Sequence, residues 1–211
     1  MKGIVLKSTG SWYSVMTDDG RLSNCRLKGQ FRIQGIRTTN PVAVGDKVVF
    51  ELENNKDTGV ITGIEPRTNY IIRRSINLSK TAHILASNID RLYIVASIML
   101  PRTSTGFIDR LLVTAEAYHI PAAVIFNNTD IYTVEAQQLC EKLMTLYSSL
   151  GYPSYAVSAL TGSGVDALRD QLKGKVNLFS GHSGVGKSAL INTIDPQLTI
   201  KTGEISSYHT K

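Results

Sequence analysis

Residues 1–65 alternate short runs of apolar and β-branched residues with turn residues, a pattern typical of β-structure. The predicted strands are 3–7, 12–17, 21–27, 47–53 and 59–64. Gly, Asn and Asp cluster between these runs, and no helical period separates them. Five short strands of this kind predict a small closed barrel. An OB-fold is the natural candidate, and an SH3-like barrel fits the pattern nearly as well.

From residue 91 onward, buried runs alternate with amphipathic segments. Strands are predicted at 92–97, 122–126, 155–158 and 176–180, and helices at 107–119, 133–150, 165–172 and 187–194. Thr133 is a candidate N-cap. This alternation predicts a parallel sheet covered on both faces by helices. Residues 66–90 are predicted to be a polar linker, so the expected domains are 1–65 and 91–211.

Positive charge is concentrated at the beginning of the chain. The net charge is +6, and residues 1–75 carry 12 Lys and Arg against 7 Asp and Glu. A polyanion such as nucleic acid is therefore a candidate partner for this part, with a solvated basic surface as the alternative. No apolar run is long enough to span a bilayer. Cys25 and Cys140 have no metal-ligand spacing, so a reduced, cytoplasmic protein without membrane contact is expected.

A phosphate-binding loop is predicted between the strand at 176–180 and the helix at 187–194. The pattern G-x-x-x-x-G-K-S is carried by Gly181, His182, Ser183, Gly184, Val185, Gly186, Lys187 and Ser188, with Ala189 next on the helix. Glycines let backbone N–H groups point at a phosphate, and the lysine adds a positive charge. The hydroxyl of Ser188 is the expected Mg²⁺ ligand, and the helix N-terminus favours an anion.

Two further segments distinguish guanine from adenine. Asn127, Asn128, Thr129 and Asp130 follow the strand at 122–126 and approximate the guanosine pattern Asn-Lys-x-Asp. The Asp130 carboxylate can accept hydrogen bonds from the N1–H and 2-amino groups of guanine, which adenine lacks. Asn127 would orient against the base edge and the loop, and Asn128 stands where the pattern has Lys. Without the other segments, an Asx turn would explain this sequence.

The second segment, Ser158, Ala159 and Leu160, follows the strand at 155–158. In GTPases the backbone N–H at the Ala159 position contacts the guanine carbonyl oxygen. Both base-reading segments precede the phosphate loop, the reverse of the usual order, so the domain is expected to be circularly permuted. Ligand sites in such sheets lie at the carboxyl ends of the strands.

A basic OB-like domain followed by a permuted GTPase domain resembles the RsgA family (also called YjeQ or YloQ). The stretch 202–206, Thr-Gly-Glu-Ile-Ser, and the motifs above carry the resemblance, whereas Asn128 and His182 depart from it. It implies an OB-fold barrel joined to a circularly permuted P-loop GTPase domain that binds GTP or GDP with Mg²⁺. It also implies a monomeric factor that acts in late maturation of the small ribosomal subunit.

The resemblance further implies that the barrel contacts ribosomal RNA. Candidate contacts are Trp12, Tyr13, Arg21, Arg26, Lys28, Arg32 and Arg37, because OB surfaces bind nucleic acid by aromatic stacking and basic grooves. For each one, core packing or a solvated charge is the alternative. Core packing is the favoured interpretation for Trp12.

The switch segments of a GTPase and the family's zinc-binding domain, which would hold Zn²⁺, are not recognised after Ser188. The chain is therefore expected to be C-terminally truncated, with weak nucleotide binding and little hydrolysis, and its hydrolytic residue is not identified. Two other functions stay open. One is an RNA-binding module with a vestigial nucleotide site, and the other is an ATP-using P-loop protein, against which Asp130 argues.

Overall fold

A computed structural model describes residues 1–28, 41–53, 58–74 and 82–201. The chain divides into two compact units, Met1–Ile89 and Asp90–Lys211. Within the described residues, no helix is both long and apolar enough to cross a membrane.

The first unit is built on a closed five-stranded barrel. Its strands are β1 (Lys2–Ser8), β2 (Tyr13–Thr17), β3 (Leu22–Leu27), β4 (Lys47–Leu52) and β5 (Thr58–Ile64). The order β1-β2-β3-β5-β4 closes through β4 onto β1, and β3 pairs with β5 in parallel. This is an OB-like arrangement, and all five predicted strands are confirmed within one residue at each end.

Alternation of side chains gives the barrel its core. Val5, Tyr13, Val15, Cys25 and Phe50 point inward and are at most 1 % exposed. Burial raises the pKa of the Cys25 thiol to about 11, so this cysteine is an inert part of the core.

A hairpin follows the barrel, where only a polar linker was expected. Its strands are β6 (Tyr70–Arg74) and β7 (Ala82–Ser87), which pair antiparallel. Buried Asp46 ties this segment to the barrel: its carboxylate accepts hydrogen bonds from Ser87 Oγ at 2.6 Å and from Arg67 Nε at 2.7 Å. Asn88 also donates to the carbonyl of Gly45. These contacts place the hairpin with the first unit.

The second unit is a four-stranded parallel sheet with helices. Its strands are β8 (Arg91–Ala96), β9 (Ala122–Phe126), β10 (Ser154–Ala156) and β11 (Asn177–Ser180), in the order β10-β9-β8-β11. Its helices are α1 (Thr105–Ala117), α2 (Val134–Ser149), α3 (Val165–Leu172) and α4 (Lys187–Ile194). The bounds of β9, α3 and α4 agree with the prediction, and Thr133 caps α2 by accepting the amide of Ala136 at 3.3 Å.

Both faces of this sheet are buried. Tyr93, Val95 and Ile125 pack with Leu168 of α3 and Leu190 of α4. The alternate side chains of β8 and β9 are buried too, and α1 and α2 contact these strands. The expectation of a parallel sheet with two covered faces is therefore confirmed. The carboxyl ends of all four strands meet at one edge of the sheet, and the loops that follow β9, β10 and β11 begin there.

Candidate nucleotide-binding site

The phosphate loop connects β11 to α4, and its end positions require glycine. Gly186 has φ +87°, and a Cβ there would lie 2.4 Å from Asn127 Nδ2. At Gly181 a Cβ would lie 2.3 Å from the carbonyl oxygen of Val95. Any larger residue would clash at both positions, because backbone and side chain from neighbouring strands approach closely.

Lys187 begins α4 and reaches back across the loop. Its Nζ donates hydrogen bonds to the carbonyl oxygens of Gly181 at 2.9 Å and His182 at 2.6 Å. Partial burial lowers the pKa of this lysine from its ordinary value. The ammonium group therefore lies at the mouth of the loop beside a helix N-terminus, where a phosphate would compensate for its lost solvation.

The Asn127 side chain joins the phosphate loop to the second base-reading loop. Asn127 is fully buried; its Nδ2 donates to the carbonyl of Val185 at 3.0 Å, and its Oδ1 accepts the amide of Ala159 at 3.2 Å. These partners lie 58 and 32 residues away in the chain. The side-chain amide of Asn127 thus fixes the loops after β9, β10 and β11 relative to one another.

Asp130 is held by the loop that follows β10. Ser158 is buried, and its Oγ donates to Asp130 Oδ1 at 2.5 Å and accepts the amide of Thr161 at 3.1 Å. Asp130 itself is an exposed residue. Its orientation is therefore fixed while it stays accessible to a ligand.

Asn128, which replaces the lysine of the guanosine pattern, has φ +64°, a left-handed conformation that asparagine tolerates better than most residues. Its Oδ1 lies 3.3 Å from the position that a Cβ on Gly186 would occupy. Asn128 therefore packs against the end of the phosphate loop.

The other predicted site residues surround this framework. Thr129 donates its amide to the carbonyl of Val157 at 3.2 Å. His182 and Ser183 are exposed, Leu160 is 85 % exposed, and Ser188 and Ala189 are half-buried in the first turn of α4.

Three contacting residues were missed from sequence. The ring of Phe107 on α1 stacks on His182 with centroids 3.8 Å apart. Tyr132 donates its hydroxyl to the carbonyl of Asn127 at 2.7 Å, and Thr193 contacts Ala159. Their spacing from the motifs gives no signal, because only the fold brings them together.

The candidate RNA contacts on the barrel differ in their exposure and in their ion pairs. Trp12 is 45 % exposed in the turn between β1 and β2, so the interpretation as core was wrong. Tyr13 is 1 % exposed and cannot stack on a base, because its ring packs in the core of the barrel. Arg21 and Arg26 pair with Asp19 and Glu53, and Lys28 is exposed. Arg32 and Arg37, like the stretch 202–206, lie outside the described residues.

Metal binding by protein ligands alone finds no support in residues 1–28, 41–53, 58–74 and 82–201. No group of three His, Cys, Asp or Glu side chains in these ranges could hold a metal ion. Ser188, with its hydroxyl in the first turn of α4, fits the role of one ligand to an ion that phosphate oxygens also hold.

Comparison with known proteins divides the chain directly after the barrel, so that the hairpin, which belongs to the first compact unit, falls within the second match. Residues 2–61 match the RsgA N-terminal domain, and residues 64–211 match the RsgA GTPase. The "Small ribosomal subunit biogenesis GTPase RsgA" of Bacteroides fragilis is 57 % identical over all of this chain, which spans 68 % of that protein. The protein of the same name from Flavobacterium johnsoniae is 51 % identical, and the match covers 98 % of this chain and 64 % of that protein.

Solved structures support the folds of both units. YjeQ from Thermotoga maritima superimposes with a TM-score of 0.77 at 32 % identity, covering 96 % of this chain and 67 % of that one. YloQ, described as a circularly permuted GTPase, gives a TM-score of 0.67 at 30 % identity, covering 93 % and 64 %. The OB-like barrel, the permuted order of the loops and the matched ranges lead to one conclusion: this chain belongs to the RsgA family of circularly permuted GTPases.

Proposed function

We propose that this chain binds GTP and GDP at the edge of the sheet where the loops after β9, β10 and β11 meet. Asp130 would accept the guanine N1–H and 2-amino hydrogens. The amide of Ala159, which donates to Asn127 Oδ1 at 3.2 Å, would share its hydrogen with the base carbonyl oxygen. Lys187 and the amides of the phosphate loop would hold the phosphates. Hydrolysis of bound GTP is the corresponding reaction.

The observation that carries this proposal is the pair of hydrogen bonds made by Asn127. Its buried amide spans the phosphate loop and a base-reading loop. Burying a polar side chain is costly unless its hydrogen bonds are satisfied, and here both partners come from loops of the candidate site. Such bonds support a site that is built before a ligand arrives.

Ser188 is proposed to hold Mg²⁺ together with phosphate oxygens. The ion, when bound, supplies positive charge that neutralises the β- and γ-phosphates. The residues of this chain contribute the hydroxyl, the Lys187 ammonium and the helix dipole of α4. A zinc ion is proposed only for a further domain of a longer protein.

The biological role proposed is late maturation of the small ribosomal subunit in the cytoplasm, by a monomer whose barrel contacts ribosomal RNA. The relatives are named for small-subunit biogenesis. The excess of positive charge in residues 1–75 and the exposed indole of Trp12 support an RNA surface on the barrel.

A competition titration tests the nucleotide site. The 211-residue chain is titrated with fluorescent GDP and then competed with unlabelled GDP, a non-hydrolysable GTP analogue and ATP. Displacement by both guanine nucleotides but not by ATP supports the proposal. Equal displacement by ATP would contradict the assigned role of Asp130.

Absence of saturable binding would instead favour the alternative of an RNA-binding module whose nucleotide site is vestigial. The expected slow hydrolysis by these 211 residues stays a prediction. It is measured as single-turnover release of phosphate from GTP, with and without purified small ribosomal subunits.

A further inference from the structure

The last turn of α4 contacts the base-reading loop directly. Thr193 Oγ1 lies 3.0 Å from the carbonyl oxygen of Ala159 and 3.0 Å from that of Ala189, one turn earlier in its own helix. One hydroxyl proton is shared between these two acceptors. The contact with Ala159 reaches across 34 residues of sequence, so it is a tertiary bond and not part of the helix.

Helix α3 also holds this turn of α4. Arg169 donates from Nε to the carbonyl of Ile194 at 2.9 Å and from its guanidinium NH2 to that of Thr193 at 3.1 Å. It also pairs with Asp166 of its own helix. Because these carbonyls end a helix, they have no partner within it, and the guanidinium satisfies them. The turn that carries Thr193 is therefore fixed.

These bonds complete a ring that begins and ends at the phosphate loop. Val185 is bonded to Asn127, Asn127 to the amide of Ala159, and the carbonyl of Ala159 to Thr193. Helix α4 then returns from Thr193 to Gly186. Both sides of Ala159, its amide and its carbonyl, are held by residues outside its own loop.

We propose that Thr193 is a positioning residue for guanine recognition: by holding the carbonyl of Ala159, it fixes the residue whose amide would be shared between Asn127 Oδ1 and the guanine carbonyl oxygen. Thr193 lies about 9 Å along the helix from Lys187 at 1.5 Å per residue, so it acts through the loop and not on the nucleotide. This inference rests on the proposed function. It adds a determinant of base affinity that lies outside all three sequence motifs.

The test compares Thr193→Val, which removes the hydroxyl at nearly constant shape, with Thr193→Ser, which keeps it. Thr145→Val is the matched control, because Thr145 Oγ1 donates to the carbonyl of Glu141 in the preceding turn of its own helix, α2. Affinities are measured for GDP, for inosine diphosphate and for pyrophosphate. Inosine diphosphate keeps the base carbonyl but lacks the 2-amino group that Asp130 would read, and pyrophosphate probes the phosphate loop alone.

Thr193→Val is expected to weaken GDP and inosine diphosphate alike, by about 3- to 10-fold, the range for loss of one neutral hydrogen bond. Pyrophosphate affinity and the ratio of GDP to inosine diphosphate affinity stay unchanged. Thr193→Ser restores the wild-type values, and Thr145→Val leaves them unaltered. A general loosening of α4 would instead weaken pyrophosphate as well.

Unchanged GDP affinity in Thr193→Val would overturn this inference and leave the proposed function intact. A proportionate loss of pyrophosphate affinity without rescue by serine would overturn it too. A wild-type chain that does not prefer GDP over ADP would overturn the proposed function and this inference together.

Discussion

The two units of this chain use polar side chains in contrasting ways. In the second unit, the α/β unit that holds the parallel sheet, the candidate site rests on Asn127 and Ser158. Both side chains are fully buried and hydrogen-bonded to neighbouring loops. On the barrel, the accessible candidates for RNA binding are exposed side chains, and Arg21 and Arg26 already pair with acidic residues. The difference matches the ligands proposed for each unit.

A nucleotide is small, so its site needs loops fixed in advance by buried bonds. An RNA backbone offers many phosphates, so exposed cations suffice and each contributes a small, salt-dependent increment. The α/β unit should therefore lose function through single substitutions, whereas the barrel should lose it gradually.

Removal of the buried Asp46 carboxylate is expected to have the largest effect, and only on the barrel. Asp46→Ala leaves Arg67 and Ser87 without their buried acceptor, which should lower the free energy of unfolding of that unit by about 3–5 kcal/mol. The chain has a single tryptophan, Trp12, so denaturant unfolding followed by its fluorescence reports on the barrel. Exposed Glu51→Ala is the control, and it should change neither the unfolding free energy nor GDP affinity.

Loss of the Lys187 ammonium is expected to weaken GDP binding by about 100-fold, the equivalent of one or two charge-assisted hydrogen bonds to phosphate. Lys187→Ala should leave unfolding of the barrel unchanged. Lys175→Ala is the matched control, because Lys175 is an exposed lysine whose Nζ donates to the carbonyl of Gln171 on the surface. Equal losses in the two variants would refute a specific role for the phosphate loop.

Trp12→Ala should weaken binding of the chain to purified small ribosomal subunits by about 10-fold, the loss expected for one stacked base. GDP affinity should not change. Trp12→Phe keeps an aromatic surface and should retain most of the affinity. If alanine and phenylalanine behaved alike, stacking by this side chain would be excluded.

The smallest effect is expected at Arg26, whose guanidinium is paired with Glu53 at 2.5 Å. Lys28 forms no ion pair among the described residues and is exposed. Lys28→Gln should therefore reduce the salt dependence of subunit binding by about one unit of slope, and Arg26→Gln by less. The reverse order would show that the surface pair opens on binding.

Outside residues 66–90, the sequence predicted the order of the strands and helices well, because hydrophobic periods are local signals. The phosphate-binding role of the loop between β11 and α4 stays a prediction. The sequence could not predict the partners of Asn127 or the contact of Thr193 with Ala159, since only the tertiary fold brings these residues together. The strand Tyr70–Arg74 was missed because polar and basic residues surround its short apolar core.

Trp12 shows the limit of hydrophobicity as a signal of burial. Its apolar indole favours burial in the core. The register of the paired strands decides which of two neighbouring aromatic rings points inward, and in this barrel the buried ring is that of Tyr13. Register depends on pairing across strands, which the local sequence pattern did not reveal.

The most direct test of the site is the base preference of Asp130→Asn. The asparagine Oδ1 can still accept the Ser158 hydroxyl, so the loop should stay in place, while its NH₂ group replaces an acceptor by a donor. Xanthine carries a carbonyl where guanine has its 2-amino group. The variant is therefore expected to bind GDP about 100-fold more weakly, as two bonds to a carboxylate are lost, and to prefer xanthosine diphosphate over GDP. Unchanged GDP affinity in Asp130→Asn would contradict a guanine site at this edge of the sheet.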